Sequence, residues 1–280
     1  MPESIRDFCL KPLASRHLQA LVSLPAGIET LARLPSALMI HRYIAPAYGE
    51  TLSETRIEEQ HLRAVDAILD EVMRKDCSPL DIARRPPQRT VGVCRHFSLL
   101  LAAMLRAKGV PARPRCGFAA YFEKGRFVDH WVCEAWHGGR WRLIDPQLDE
   151  VQRKAFAIAF DPLDVPRDRF LVAAEAWTMC RAGKAKPDDF GILEMAGWWF
   201  IAGNLVRDLA ALNGVVMLPW DVWEPMPQEG EAIDVERFDR LAAVTADPDA
   251  HWNDVRALYE SDCRVPPLVF NALRQRMEQA

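Results

Sequence analysis

The clearest periodicity along the chain lies at Phe97, Leu100, Leu101, Met104 and Leu105, apolar positions three and one apart that line one face of a helix. Val91-Gly92-Val93 leads into that segment. Lys108-Gly109 followed by Val110-Pro111 stops it with a basic last turn, a glycine and a proline. The pattern then changes to strand-like runs. Arg113 to Phe122 ends at Glu123-Lys124-Gly125-Arg126, and Phe127 to Trp136 follows. His137-Gly138-Gly139-Arg140 turns the chain into Trp141 to Asp145, which Pro146 ends. A two-residue Gly138-Gly139 loop pairs Trp136 with Trp141 and, counting outward, Val132 with Asp145. His130, two positions from Val132, then shares a face with Asp145 as its diagonal neighbour. A three-residue loop without a bulge would put Asp145 on the other face.

Elsewhere the pattern is mostly helical. Pro12, Pro25, Pro35 and Pro46 divide the first fifty residues into short helices, about 14–24 and 28–34. Thr55-x-x-Glu58 reads as a capping box opening a helix to about Lys75, and Pro86-Pro87 lies in an extended loop, 84–89. Beyond Asp149 the strand signal fades, and helices are expected at 169–181, 192–213, 235–245, 249–260 and 267–278. Met195 to Leu218 is the most apolar stretch, but Arg207-Asp208 interrupt it, which predicts a core helix rather than a membrane span. The expected organisation is a helical N-terminal arm over 1–50, a core over 51–165 and a helical C-terminal extension over 166–280, packed on the core.

The helix start carries a cysteine. A thiol in a first turn feels the positive end of the macrodipole, which favours the thiolate, the reactive form. Cys94 therefore reads either as an activated nucleophile or as a small buried hydrophobe. Gly92 is expected to leave room for a substrate backbone beside the sulfur. Taken with His130 and Asp145 on one sheet face, Cys94 makes a nucleophile, base and orienter set. His96, two residues on, points to a different face and is a poor base. Arg113 and Arg115 alternate on one strand face, suited to a substrate carboxylate or to structural ion pairs, Glu134 being one partner. Trp131, Trp136 and Trp141 fit either a cleft wall or strand packing.

The order Gly-x-Cys opening a helix, Leu-Arg-Ala-Lys-Gly-Val-Pro-Ala-Arg, then His-Trp-x-x-Glu on a strand and Gly-x-Trp-x-x-x-Asp-Pro resembles the transglutaminase-like superfamily, relatives of papain-type cysteine peptidases. The resemblance implies an α+β fold, a papain-like core with the nucleophile helix packed on an antiparallel sheet. It also implies a catalytic triad in that chain order: Cys94, His130 and Asp145. Gln88, six positions before Cys94, is similar to the oxyanion glutamine of papain-like peptidases, although a loop glutamine needs no special role; the Cys94 N–H is the other oxyanion donor. Many relatives carry an acidic residue just after the nucleophile, where this chain has Arg95-His96.

Composition narrows the partners. The 280 residues are half apolar and carry a net charge of −4, with no block of like charge, which argues against nucleic acid or an anionic membrane. Seven scattered cysteines, with no C-x-x-C and no zinc spacing, predict no metal site, no disulfide framework and a cytoplasmic setting. The first residues show no apolar run of signal-peptide length. No EF-hand loop appears, so no cofactor is expected. The leading expectation is a thiol enzyme acting on a peptide, amide or thioester through an acyl-Cys94, with water (amidase or peptidase) or an amine (acyltransferase) as acceptor. The alternative is a non-catalytic peptide- or partner-binding module on the same fold.

Overall fold

The computed structural model describes residues 1–280, which divide into two compact units: 1–114 with 132–166, and 115–131 with 167–280. The first unit opens with helices α1 (Glu3–Leu10), α2 (Leu18–Val22) and α3 (Ile28–Leu38), then a short strand β1 (Met39–His41) that sequence periodicity had not marked. Helices α4 (Glu54–Ile57) and α5 (Val65–Lys75) precede strand β2 (Thr90–Gly92) and helix α6 (Cys94–Ala107). α6 ends as the Lys108-Gly109 stop predicts: Lys108 is the C-cap and Gly109 has a φ of 75°. Its residues from Cys94 through Arg106 are all buried. Each leucine so buried is worth about 1.5–3 kcal/mol, so Leu99, Leu100, Leu101 and Leu105 make α6 a principal anchor of this unit.

The helix expected from residue 55 to Lys75 is broken. Ser53, not Thr55, caps α4, and Leu62 leaves the helical region with ψ at 118°. The cause is tertiary. The carbonyls of Leu62 and Arg63, which a continuous helix would use internally, accept hydrogen bonds from α6 side chains instead.

Strands β3 (Ala112–Ala119) and β4 (Phe127–His137) run through both units, and β5 (Arg140–Ile144) lies in the first. The sheet order is β6-β3-β4-β7-β8, with β5 also on β4, where β6 (Phe170–Val172), β7 (Phe190–Ile192) and β8 (Met195–Ala196) follow later in the chain. β5 pairs antiparallel with β4 in the register expected of a two-residue turn: His137 opposite Arg140, Trp136 opposite Trp141, Cys133 opposite Ile144. Gly138 and Gly139 have φ of 61° and 80°, the conformation such a turn demands at both centres. α6 is tied to this hairpin by a Ser98 hydroxyl that donates to the Val132 carbonyl at 2.6 Å. A helix α7 (Glu150–Ala155) follows, N-capped by Asp149.

The second unit holds α8 (Ala173–Arg181), α9 (Trp198–Leu212), α10 (Val235–Ala246) and α11 (Trp252–Leu258), close to the positions periodicity gives. β7 runs parallel to β4, so the sheet is mixed rather than purely antiparallel. No helix is long and apolar enough to cross a membrane. The helix expected over 267–278 is instead a hairpin of β10 (Leu268–Asn271) and β11 (Arg276–Gln279), with β10 also pairing β9 (Asp221–Val222). Asn271 explains the turn. Its side-chain oxygen accepts from the Leu273 and Arg274 N–H groups, and Gln275 adopts a φ of 51°.

Candidate active site

The junction that delivers Cys94 is held from several directions by the first unit. β2 runs parallel to β1, with His41 opposite Gly92. The Val91 N–H donates to Glu59 Oε2 at 2.7 Å, and the Gly92 carbonyl accepts from the Arg42 N–H at 2.9 Å. One residue on, the Val93 N–H donates to Nδ1 of His96 at 3.1 Å, while Nε2 of the same ring lies 3.0 Å from the Leu62 carbonyl. A carbonyl can only accept, so Nε2 carries the proton, Nδ1 is the acceptor and the ring is neutral. Complete burial, reinforced by the Arg95 charge beside it, holds the His96 imidazole well below its ordinary range. The Arg95 guanidinium donates to the Leu62 carbonyl at 3.2 Å and to the Arg63 carbonyl at 2.6 Å.

Cys94 is the first residue of this 14-residue helix and is 7% exposed. Its position puts Cys94 at the positive end of the helix dipole. Other thiols are placed differently: burial pushes Cys133 far up and Cys263 up to about 12. Gly92 does not leave room for substrate, as its position beside the thiol had implied. A Cβ there would lie 2.7 Å from Met39 Cε and 3.0 Å from His96 Cβ and Cγ, so the protein's own side chains fill that space.

Asp145 follows β5 directly. One step beyond the last paired residues, the register sets it opposite Val132. Its N–H donates to the Pro162 carbonyl at 2.8 Å and its Oδ1 accepts from the Gln147 N–H at 3.1 Å. A partly buried chain extends from there. Gln147 Nε2 donates to Gln152 Oε1 at 2.9 Å, Gln152 Nε2 donates to the Tyr48 hydroxyl at 3.1 Å, and that hydroxyl donates to Asp149 at 2.8 Å. Burial pushes the Tyr48 hydroxyl well above its usual range, so it stays a donor. Asp145 also lines a cavity of about 460 Å³ with Arg33, Arg89, Leu148, Arg153 and Pro162.

His130 lies on β4 in the second unit, whereas Cys94 and Asp145 belong to the first. It is 2% exposed and is flanked edge-on by Phe122, Tyr121 and Phe170, with ring centroids 4.8, 5.9 and 6.3 Å away. The neighbouring Asp129, on the other face of the strand, accepts from Asn204 Nδ2 at 2.7 Å; burial pushes its carboxyl up. Gln88 is half-buried in a short 3-10 turn, its own N–H bonded to the Arg85 carbonyl.

The two arginines of β3 take the structural option. Arg113 pairs with Glu134 at 2.7 Å and stacks on Trp141, and Arg115 pairs with Asp208 at 2.8 Å, all of them buried except the half-buried Trp141. Sequence reasoning missed Tyr48, Gln147 and Gln152, a chain in which Tyr48 lies about a hundred residues from its partners Asp149 and Gln152. It also missed His96 as a helix-start acceptor. That signal was legible, because His96 sits three residues after the N-cap, where a capping-box side chain reaches back.

A thiol at a helix start, followed by a tight-turned hairpin ending in a buried carboxylate, is the layout of a papain-like core. Residues 51–146, about a third of the chain, match the model of the transglutaminase-like superfamily, and this stretch is similar to that family. No curated protein matches the chain. Among solved structures, a candidate cysteine protease from Cytophaga hutchinsonii is similar at 21% identity over 52% of this chain, with a TM-score of 0.31. The alignment spans 43% of that structure, less than half its length.

Proposed function

We propose that the protein is a thiol enzyme acting at an amide or thioester carbonyl, with Cys94 as nucleophile, His130 as base and Asp145 as the carboxylate that orients His130. The observation that supports this reading is the β4–β5 register, paired up to Cys133 opposite Ile144: continued by one residue it sets Asp145 opposite Val132, two residues from His130 on the same strand. The helix-start position of Cys94 supports the nucleophile's role. In the proposed cycle, His130 takes the Cys94 proton as sulfur attacks the carbonyl, the Cys94 N–H stabilises the oxyanion, and His130 returns the proton to the leaving amine or thiol. Water or an amine then attacks the acyl-Cys94 and releases an acid or a new amide. Gln88 is a second proposed oxyanion donor. We assign the substrate class as peptide, amide or thioester, in a cytoplasmic setting.

A second reading, a partner-binding module with an inert Cys94, draws on the 7% exposure of Cys94 and the 2% exposure of His130. Iodoacetamide labelling separates them. Cys77 is the proper internal reference, because it is the exposed cysteine while Cys9 and Cys263 are buried. Cys94 is expected to alkylate faster than Cys77 at neutral pH and to slow at least tenfold in His130→Ala, the scale of general-base assistance being about 10²–10⁴. Labelling of Cys94 no faster than Cys77 would favour the binding module.

A further inference from the structure

Three observations converge on His96. It is completely buried, both of its ring nitrogens are committed to backbone, and the ring occupies the volume that a side chain at position 92 would need. The two backbone groups it joins belong to different segments: Val93, immediately before the nucleophile, and Leu62, in the break between α4 and α5. We infer that His96 is the positioning residue of the nucleophile, a neutral imidazole bridge that fixes the first turn of α6 against residues 62–63 so that helix N–H groups converge on the Cys94 sulfur. This inference rests on Cys94 being the nucleophile.

The physical logic is that of a capping box with a different acceptor. At a helix's third position, Glu or Gln normally reaches back to the N-cap N–H, and here Nδ1 of His96 does so. A glutamate would bring a negative charge into the first turn of α6, where charge of that sign opposes a thiolate at Cys94. A neutral imidazole gives the same hydrogen bond without that charge. Its Nε2–H then adds a second tie that Glu cannot make, to the Leu62 carbonyl. Arg95 reaches the same carbonyl and the next one, so the break at residues 62–63 is pinned from two adjacent α6 positions. Gly92 is the complementary element: a Cβ there would lie 2.7 Å from Met39 Cε and 3.0 Å from His96 Cβ and Cγ, pressing on both side chains.

The test reads the pH dependence of Cys94 alkylation by iodoacetamide in the full-length wild-type protein, His96→Gln and His96→Leu, with Cys77 as internal reference and thermal melting to confirm folding. Gln keeps an acceptor for the Val93 N–H but loses the Leu62 tie, and Leu loses both. Alkylation of Cys94 at pH 7 is expected to slow about threefold in the Gln variant and about tenfold in the Leu variant, with the thiol's apparent pKa rising correspondingly and Cys77 unchanged. If the Leu variant does not fold, the Gln variant decides alone. A folded variant whose Cys94 keeps the wild-type pH profile overturns the inference, even if its melting temperature falls, because His96 would then be only structural. Wild-type Cys94 alkylating no faster than Cys77 overturns the thiol-enzyme reading, and this inference with it.

Discussion

In α6 the buried polar side chains are committed to backbone. Arg95 holds the Leu62 and Arg63 carbonyls, His96 joins Val93 to Leu62, Ser98 holds Val132, and Arg106 holds the Ala112 and Lys11 carbonyls. In α9 they are committed largely to one another's side chains. Asp208 pairs with Arg115 of β3, Asn204 bridges Asp129 and Arg207, and Arg207 also reaches the Asp221 carbonyl. Both helices carry charge into a core, and the difference lies in what each neutralisation fixes. Side chain on backbone fixes where a loop runs, here the break at residues 62–63 and the turn into α6. Side chain on side chain fixes the pair itself, and removing one member strands the other as a buried charge.

That contrast predicts a ranking of stability losses. The largest belongs to Asp208→Asn, which leaves the buried Arg115 without its counter-ion and weakens the acceptor of the Cys116 N–H. Urea unfolding should show a loss of about 3–5 kcal/mol, and the double change Arg115→Met with Asp208→Leu should recover most of it. Next comes Arg95→Met, which removes hydrogen bonds to two carbonyls but also removes the buried charge. Its expected cost is about 2 kcal/mol, the scale of charged hydrogen bonds. If Arg95→Met costs more than Asp208→Asn, the distinction between the helices fails.

A smaller effect is expected from pH. Burial raises the carboxyl of Asp129 above its ordinary value of 3.8. Between that value and the raised one, the folded protein binds more protons than the unfolded chain, so the Asp129 contribution to stability falls as pH rises through the window. Relative to Asp129→Asn, the wild type should lose at most about 1.4 kcal/mol per pH unit there, and the two should run parallel below pH 3.8. Parallel curves from pH 3 to 8 would show that the Asp129 carboxyl titrates alike in the folded and unfolded states, and that burial does not raise it. The smallest effect belongs to Glu236→Gln on α10. Its ion pair with Arg240 is exposed, and the change should cost less than about 0.5 kcal/mol by the same urea measurement.

Much of the proposed site was legible in the sequence because it is local. The α6 face, its Lys108-Gly109 stop and the Gly138-Gly139 turn each depend on residues a few positions apart, and the turn alone dictates the β4–β5 register. What escaped depends on distant partners. The helix break at residues 62–63 is set by Arg95 and His96, more than thirty residues later. β1 is three residues long and exists through its pairing with β2, and the 267–278 hairpin hinges on one asparagine side chain. The polar chain from Asp145 to Tyr48 spans about a hundred residues of sequence and has no periodic signature.

The claim on which the functional reading stands is that Cys94 carries an acyl group during turnover. Intact-protein mass spectrometry after brief exposure to an activated acyl donor tests it directly, followed by peptide mapping. The account predicts a single acyl adduct on Cys94, absent in Cys94→Ala, formed much more slowly in His130→Ala and discharged by water or an added amine. An adduct spread over Cys77 and lysines in proportion to exposure, with Cys94 unmodified, would contradict it.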